Sequence, residues 1–420
     1  MSPQAPLPPE LVDLILACIS HPTTLRTCSL VCRAWVPSCR SRDAVFTLIF
    51  LGGRELDIDA FLAVIGHPDP EDIDTIRTYV RRIHLVRADY WQDVIQMQEL
   101  LELLPTFTAL REISMQATAY TPLEPFFPVM PLITHLALDD TMFRNFGQFI
   151  ALLKRLPGLR HLSLAFPAMG ASSVIDAYPP ELHSLAINWK DPSSPASGES
   201  QLCSWISRAT TVADLTLTVA DNTPRLQAYL QSLQNLVCLH LQSDDTVIDL
   251  GTLPHLRYLH LGTPSQSKHR PQFLNYYAGT MPATLERIST HAPLETLVLD
   301  LHIPWERYNA SRVPDSTFQR LQDAVDALIP SKASLRVLHL DVHCHGHTEV
   351  DEEGALPAGH FHPGTRVGVG TGTGAEADTR MCFPERMVRE KIFPSLTLLH
   401  STTVTNPRLS LTISDNYNKS

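Results

Sequence analysis

The sequence predicts an α/β solenoid: a small all-α module followed by an irregular repeat domain with a curved parallel sheet. Two observations predict it. A six-residue pattern, apolar at its first, fourth and sixth places, recurs along most of the 420-residue chain. The first forty residues, in turn, hold short helical stretches with more apolar surface than they can bury among themselves.

Composition sets the frame. Hydrophobic residues make up 44% and charged residues 18%, the balance of a folded chain rather than a disordered one. Thirty-three prolines imply many short connections and few long helices. The net charge is −11, from 44 acidic and 33 basic residues, with no dense Lys/Arg run. Neither nucleic acid nor an anionic membrane surface is therefore an expected partner. The eight cysteines form no CxxC pair, which points to a reducing compartment. No basic segment followed by a long apolar core opens the chain, and the longest apolar runs are about half of the roughly 20 residues a membrane span needs. A soluble protein of the cytoplasm or nucleus is expected.

The segment Leu7-Pro8-Pro9-Glu10-Leu11 starts the first helix with prolines where a helix tolerates them. Glu10 and Asp13 place negative charge near the positive end of its dipole. At about 100° per residue, Leu11, Leu14, Ile15 and Cys18 share one face, which Val12, Leu16 and Ile19 extend around the cylinder. The apolar arc is about twice the roughly 100° that packing on one core requires. Two further helical stretches follow the break at His21-Pro22, from Thr24 to Leu30 and from Val31 to Val36, the last ended by Pro37. Leu25, Cys28, Cys32 and Trp35 recur there at helical spacing. The surplus apolar surface implies an external partner.

These residues carry a resemblance. Leu7-Pro8-Pro9-Glu10-Leu11, followed by Leu25-Arg26-Thr27-Cys28-Ser29-Leu30-Val31-Cys32-Arg33-Ala34-Trp35, resembles the F-box motif in the form common among fungal F-box proteins. The resemblance covers residues 5–45, within a module expected over 1–45. It implies that Leu7, Pro8, Leu11, Ile15, Leu30, Val31 and Trp35 contact a Skp-family adaptor and, through it, a cullin–RING ubiquitin ligase. The plain alternative is an ordinary helical cap on the repeats.

The six-residue pattern begins at Val80, Leu110, Ile133, Leu159, Leu182, Val212, Leu236, Leu256, Leu294, Leu335 and Leu396. The early steps run from 20 to 30 residues and the last three are 38, 41 and 61. Fourth and sixth places alternate as in a strand facing a core. Helix-like stretches precede several copies, such as Phe146 to Leu156 and Leu226 to Leu233. Residues 46–420 thus resemble a degenerate leucine-rich-repeat domain. The expected asparagine at the ninth place is missing: Thr141, Pro167, Lys190, Ala220, Asp244, Pro264, His302 and His343 stand there. Residues 45–79 are read as a first repeat or a junction. Loops are expected at Lys190–Ser200 and Pro264–Gln272, with a flexible insertion near 343–380 that holds the glycine-threonine run from Gly364 to Gly374.

Motifs for chemistry are weak. The glycine run matches neither GxGxxG nor GxxxxGK[ST] and lacks a strand-to-helix context. His339, His343, Cys344, His345, His347, His360 and His362 hold the right atoms for zinc, but their spacing fits no standard site, so no metal is expected. No GxSxG elbow, HExxH helix or Walker loop occurs, and no cofactor is expected. His240, His260 and His339 share the fifth place of their copies, with Tyr258 and Asp300 nearby, and are the candidate target-binding stripe. Solvated strand filler is the plain reading of that row.

Taken together, the expected function is that of a non-catalytic substrate-recognition subunit of a Skp-cullin-F-box type ubiquitin ligase. The F-box would dock the adaptor, and the repeats an unknown target protein. A repeat scaffold that binds the adaptor outside any ligase is the alternative.

Overall fold

Every copy of the pattern from Val80 to Leu335 delivers a strand that begins two residues after its first place. The computed structural model describes residues 8–19, 24, 28, 48–51, 61–62, 77, 80–86, 91–165, 167–170, 178–188, 197–219, 224–243, 247–263, 276–304, 316–332, 334–345 and 408–415. Two compact units divide the chain, Met1–Leu239 and His240–Ser420.

In the first unit the strands are β1 (Leu48–Leu51), β2 (Arg82–Val86), β3 (Glu112–Gln116), β4 (His135–Asp139), β6 (His161–Ala165), β8 (Ser184–Asn188) and β9 (Asp214–Val219), paired in that order and all parallel. A second, two-stranded sheet joins β5 (Met142–Phe143) to β7 (Ala168–Met169). The pairing is strictly in step with the sequence pattern. Fourth-place Ile83, Ile113, Leu136, Leu162, Leu185 and Leu215 stand beside one another, as do sixth-place Leu85, Met115, Leu138, Leu164, Ile187 and Leu217. All twelve are buried, while the intervening places stay partly open. Each such side chain contributes about 1.5–3 kcal/mol when removed from water.

The helices of this unit are α1 (Pro9–Ala17), α2 (Trp91–Leu103), α3 (Phe146–Lys154), α4 (Ser197–Ile206) and α5 (Pro224–Ser232). Asn145 caps α3, its side-chain oxygen accepting from the Gln148 amide at 3.1 Å. Phe146 and Phe149 of α3 meet Trp205 of α4 edge-on at 6.5 and 5.4 Å, and Phe143 joins Phe149 to Tyr120. Gly158 lets the chain pass directly beneath the Pro131 carbonyl, where a side chain would collide with backbone.

Threonines take over part of the work of the missing ninth-place asparagine. Thr118 and Thr141, at the ninth places of β3 and β4, are fully buried. The Thr141 hydroxyl donates to the Met115 carbonyl one strand back at 3.1 Å, and Thr118 donates to the Gln116 carbonyl at 2.9 Å. Backbone amides complete the turns, Met142 to Thr118 O and Ala168 to Thr141 O. A hydroxyl serves because each site needs a short donor aimed at a carbonyl inside an apolar core.

In the second unit β11 (Tyr258–Gly262), β12 (Thr296–Pro304), β13 (Val337–His345) and β14 (Arg408–Asp415) pair in parallel, and β10 (Cys238–Ser243), in which the division falls, precedes β11 in the order. Helices α6 (Met281–Leu285) and α7 (Ser316–Ser331) flank them. Lys332, nearly fully enclosed, donates to the carbonyls of Ser289 and Ala292. It closes the chain that leaves α6, and burial lowers its pKa.

Three expectations need correction. The insertion does not begin at His343, since β13 runs through His345; the alternation Leu338, Leu340, Val342, Cys344 simply continues the strand period. The expected loop Lys190–Ser200 gives way to helix α4 at Ser197. One strand, β14, has no copy of the pattern assigned to it, whereas β1 lies within residues 45–79 and pairs with β2 in step, as the first-repeat reading of that stretch expects. In β14, Leu409, Leu411 and Ile413 alternate as the pattern demands but lack its first-place residue at the usual spacing. The copy at Leu396, the loop Pro264–Gln272 and the glycine run lie outside the described residues.

Replacing Thr141 with valine keeps the shape but removes the hydroxyl's hydrogen bond to the Met115 carbonyl. The expected cost is about 0.5–1.5 kcal/mol in a denaturant titration, with an unchanged slope.

Candidate functional site

Helix α1 begins with Pro9 at its first position and Glu10 in its first turn. Its apolar arc is split in two. Val12 and Leu16 are buried in the chain's own core, whereas Leu11, Leu14 and Ile15 are 45%, 62% and 44% exposed. The Cys18 thiol donates back to the Leu14 carbonyl at 3.4 Å, on the same exposed side. Pro8, the residue before the helix, is exposed as well. Leu7, Leu30, Val31 and Trp35 lie outside the described residues.

The candidate stripe of the second unit is partly assembled. His240 and His260 approach with their Nδ1 atoms 3.2 Å apart, and the Tyr258 ring lies 4.9 Å from that of His240. One imidazole must donate and the other accept, so this contact holds with one proton between the two nitrogens and is lost when both rings are charged. His339 is not part of the cluster: Val298 stands between it and His260 in the register. Asp300 departs from the expectation of an exposed position. It is 8% exposed and packs over Gly262, whose missing side chain leaves it room.

The open face of the first unit carries polar groups that the sequence reading did not single out. Arg82 and Glu112 form an ion pair at 3.0 Å. His84 donates to Gln116 at 3.2 Å, and Gln116 donates to Asp139 at 3.1 Å. His135 and His161, register partners on β4 and β6, stack face to face with centroids 4.0 Å apart and planes within 6°. His183 meets His161 edge-on at 5.9 Å. The Thr134 hydroxyl holds Nδ1 of His135 at 2.8 Å. Burial, together with the neighbouring His135 and His183, lowers the His161 pKa below its ordinary value; Asp214 opposes and Arg160 adds to the shift. The signal was available in the sequence, because both histidines occupy the third place of their copies.

Among the described residues, no group of three or more His, Cys, Asp or Glu side chains could hold a metal ion. Of the histidine and cysteine residues weighed above as zinc ligands, His347, His360 and His362 lie outside them. No helix among the described residues is long and apolar enough to cross a membrane.

One parallel strand per copy of a mostly 20- to 30-residue apolar signature gives the domain a repeating parallel-strand fold. No family model matches the chain, and no curated protein matches it. Among solved structures, the chain is similar to that of a TLR13–ssRNA13 complex at 16% identity and a TM-score of 0.31, covering 71% of this chain and 44% of that one, under half its length. The leucine-rich repeat domain of APL1B is 13% identical with a TM-score of 0.28, covering 77% of this chain and 88% of that one. A leucine-rich-repeat protein of Leptospira interrogans is 12% identical with a TM-score of 0.18, covering 67% and 89%.

The lowered His161 pKa sets the sign of a pH effect. The unfolded chain takes up its proton first, so stability is greatest above about pH 6.5 and falls as the pH drops through that value toward the folded pKa. Thermal unfolding followed from pH 7.5 to 5 is expected to show this fall, and His161→Gln to reduce it.

Proposed function

We propose that the chain is a non-catalytic substrate-recognition subunit of a Skp-cullin-F-box type ubiquitin ligase, acting in the cytoplasm or nucleus. Residues 1–45 serve as the docking module for a Skp-family adaptor, and the repeat domain holds a target protein. The supporting observation is the division of α1: Val12 and Leu16 satisfy the chain's own core, while Leu11, Leu14 and Ile15 stay outside. A helix that only capped the repeats would turn its apolar residues inward and present polar ones to water. Three large apolar side chains within two turns form instead a ridge suited to a groove in another protein.

The motif resemblance names the partner. Leu7, Pro8, Leu30, Val31 and Trp35 complete the proposed contact with Leu11 and Ile15, and the adaptor links the assembly to a cullin. Catalysis would belong to the ligase partners, and this chain would contribute proximity by holding target and ubiquitin donor together. The open faces of the repeat sheets offer polar and aromatic groups for the target, His240, Tyr258 and His260 among them. His339 and the enclosed Asp300 are weaker candidates for direct contact.

The double change Leu11→Asp and Ile15→Asp tests this reading. Both residues are about half exposed, so far-UV circular dichroism and thermal unfolding are expected to stay unchanged. Adaptor co-purification is expected to fall at least about 100-fold, since two anchors worth about 1.5–3 kcal/mol each on full burial are replaced by charges. Undiminished co-purification sinks the assignment. Cullin in the wild-type complex separates a ligase subunit from a scaffold.

A further inference from the structure

The third places of the first unit form one row across the sheet: Arg82, Glu112, His135, His161, Ser184 and Asp214, each beside the next in register. The residues just before the strands form a second row that includes Arg111, Thr134, Arg160 and His183. No stretch of the sequence is basic here, because these residues lie some 20 to 30 apart; the register brings them together. The acids in the first row are spoken for or set back. Glu112 is held by Arg82 at 3.0 Å, and Asp214 lies one strand beyond Ser184.

Around His161 the charged and titratable groups are His135 on β4, Arg160 and His183 before β6 and β8, and Asp214 on β9. Three are bases and one is an acid. Among the described residues no carboxylate forms an ion pair with His135, His161 or His183. The stacked pair covers one face of each ring, and the Thr134 hydroxyl holds Nδ1 of His135, yet both imidazole residues remain partly exposed on the sheet's open side. Two charged rings 4.0 Å apart repel, so protons are added to the stack readily only when negative charge comes with them.

We propose that this face, built from His135, His161, His183 and Arg160, docks an acidic segment of a protein target, and docks it more tightly as the pH falls through the imidazole range. The proposal rests on the reading that the repeats capture a protein, and it names that protein's chemistry. With a net charge of −11 the rest of the molecule repels acidic chains, which makes the cluster a local exception and gives the interaction a defined place. Proton uptake and carboxylate binding are linked: each imidazole that charges on binding steepens the pH dependence.

The test uses the full chain and a fluorescent octaglutamate peptide, with an octalysine control, read by anisotropy at constant low salt. Glutamates remain largely ionised at pH 5.5, so any change between pH 7.5 and 5.5 arises mainly on the protein side. Affinity for octaglutamate is expected to rise at least about tenfold over that interval, and by less than about threefold in the double variant His135→Gln, His161→Gln. Equal affinity at both pH values overturns the proposal, as does an undiminished rise in a folded double variant. Tighter binding to a single-stranded oligonucleotide of equal charge also overturns it, by reassigning the face to nucleic acid. Should the double variant fail to fold, NMR titration of the wild-type imidazoles decides instead: peptide is expected to raise the pKa of His161, and an unmoved value refutes docking there. Adaptor co-purification is scored separately, so loss of the α1 contact and loss of this one are distinguishable.

Discussion

In-step pairing of parallel strands is the constraint on which everything else depends. Because side chains alternate with period two, a slip of one residue between any two copies would turn a buried leucine to water and a histidine into the core. Fourth and sixth places fix the register, as Leu136 beside Leu162 and Leu138 beside Leu164 illustrate. The connections answer only to the need to return to the start of the next strand. That is why steps of very different length, with helices such as α3 in one and short turns in another, coexist with one register.

A consequence is that position within a copy, rather than position in the chain, decides which polar residues become neighbours. His135 and His161 are 26 residues apart and stack; His240 and His260 are 20 apart and approach through their Nδ1 atoms. The two pairs differ in kind. The first is a face-to-face stack bordered by bases, the second an edge contact sharing one proton beside the Tyr258 ring. Neither needs a bound ion to explain its geometry.

Much of the fold was legible because alternation is a strong local signal. Ten strands begin where the pattern sets them, and the helices near 146–156 and 226–233 appear within a few residues of their expected ends. What was not legible depended on partners distant in sequence. Nothing about Asp300 announces that Gly262 on the next strand leaves room to enclose it. The amphipathic wheel of α1 likewise assigns Leu11, Val12, Ile15 and Leu16 to one broad arc; only packing tells which half the chain keeps for itself. Thr118 and Thr141 read as departures from an asparagine rule, although a buried hydroxyl on a carbonyl fills part of the same need. The F-box reading of Leu7, Pro8, Leu11, Ile15, Leu30, Val31 and Trp35 stands as a resemblance.

Strands β13 and β14 are paired neighbours, yet the chain between His345 and Arg408 is far longer than the usual step. The entropic cost of closing a connection grows only with the logarithm of its length, so going from about 25 to about 60 residues costs under about 1 kcal/mol. Eight consecutive register partners, from Val337 beside Arg408 to Cys344 beside Asp415, stand against that small charge. The sheet can therefore accept new sequence at this junction without renegotiating its own order. In evolutionary terms, the span between these two strands is where novelty is cheapest to try.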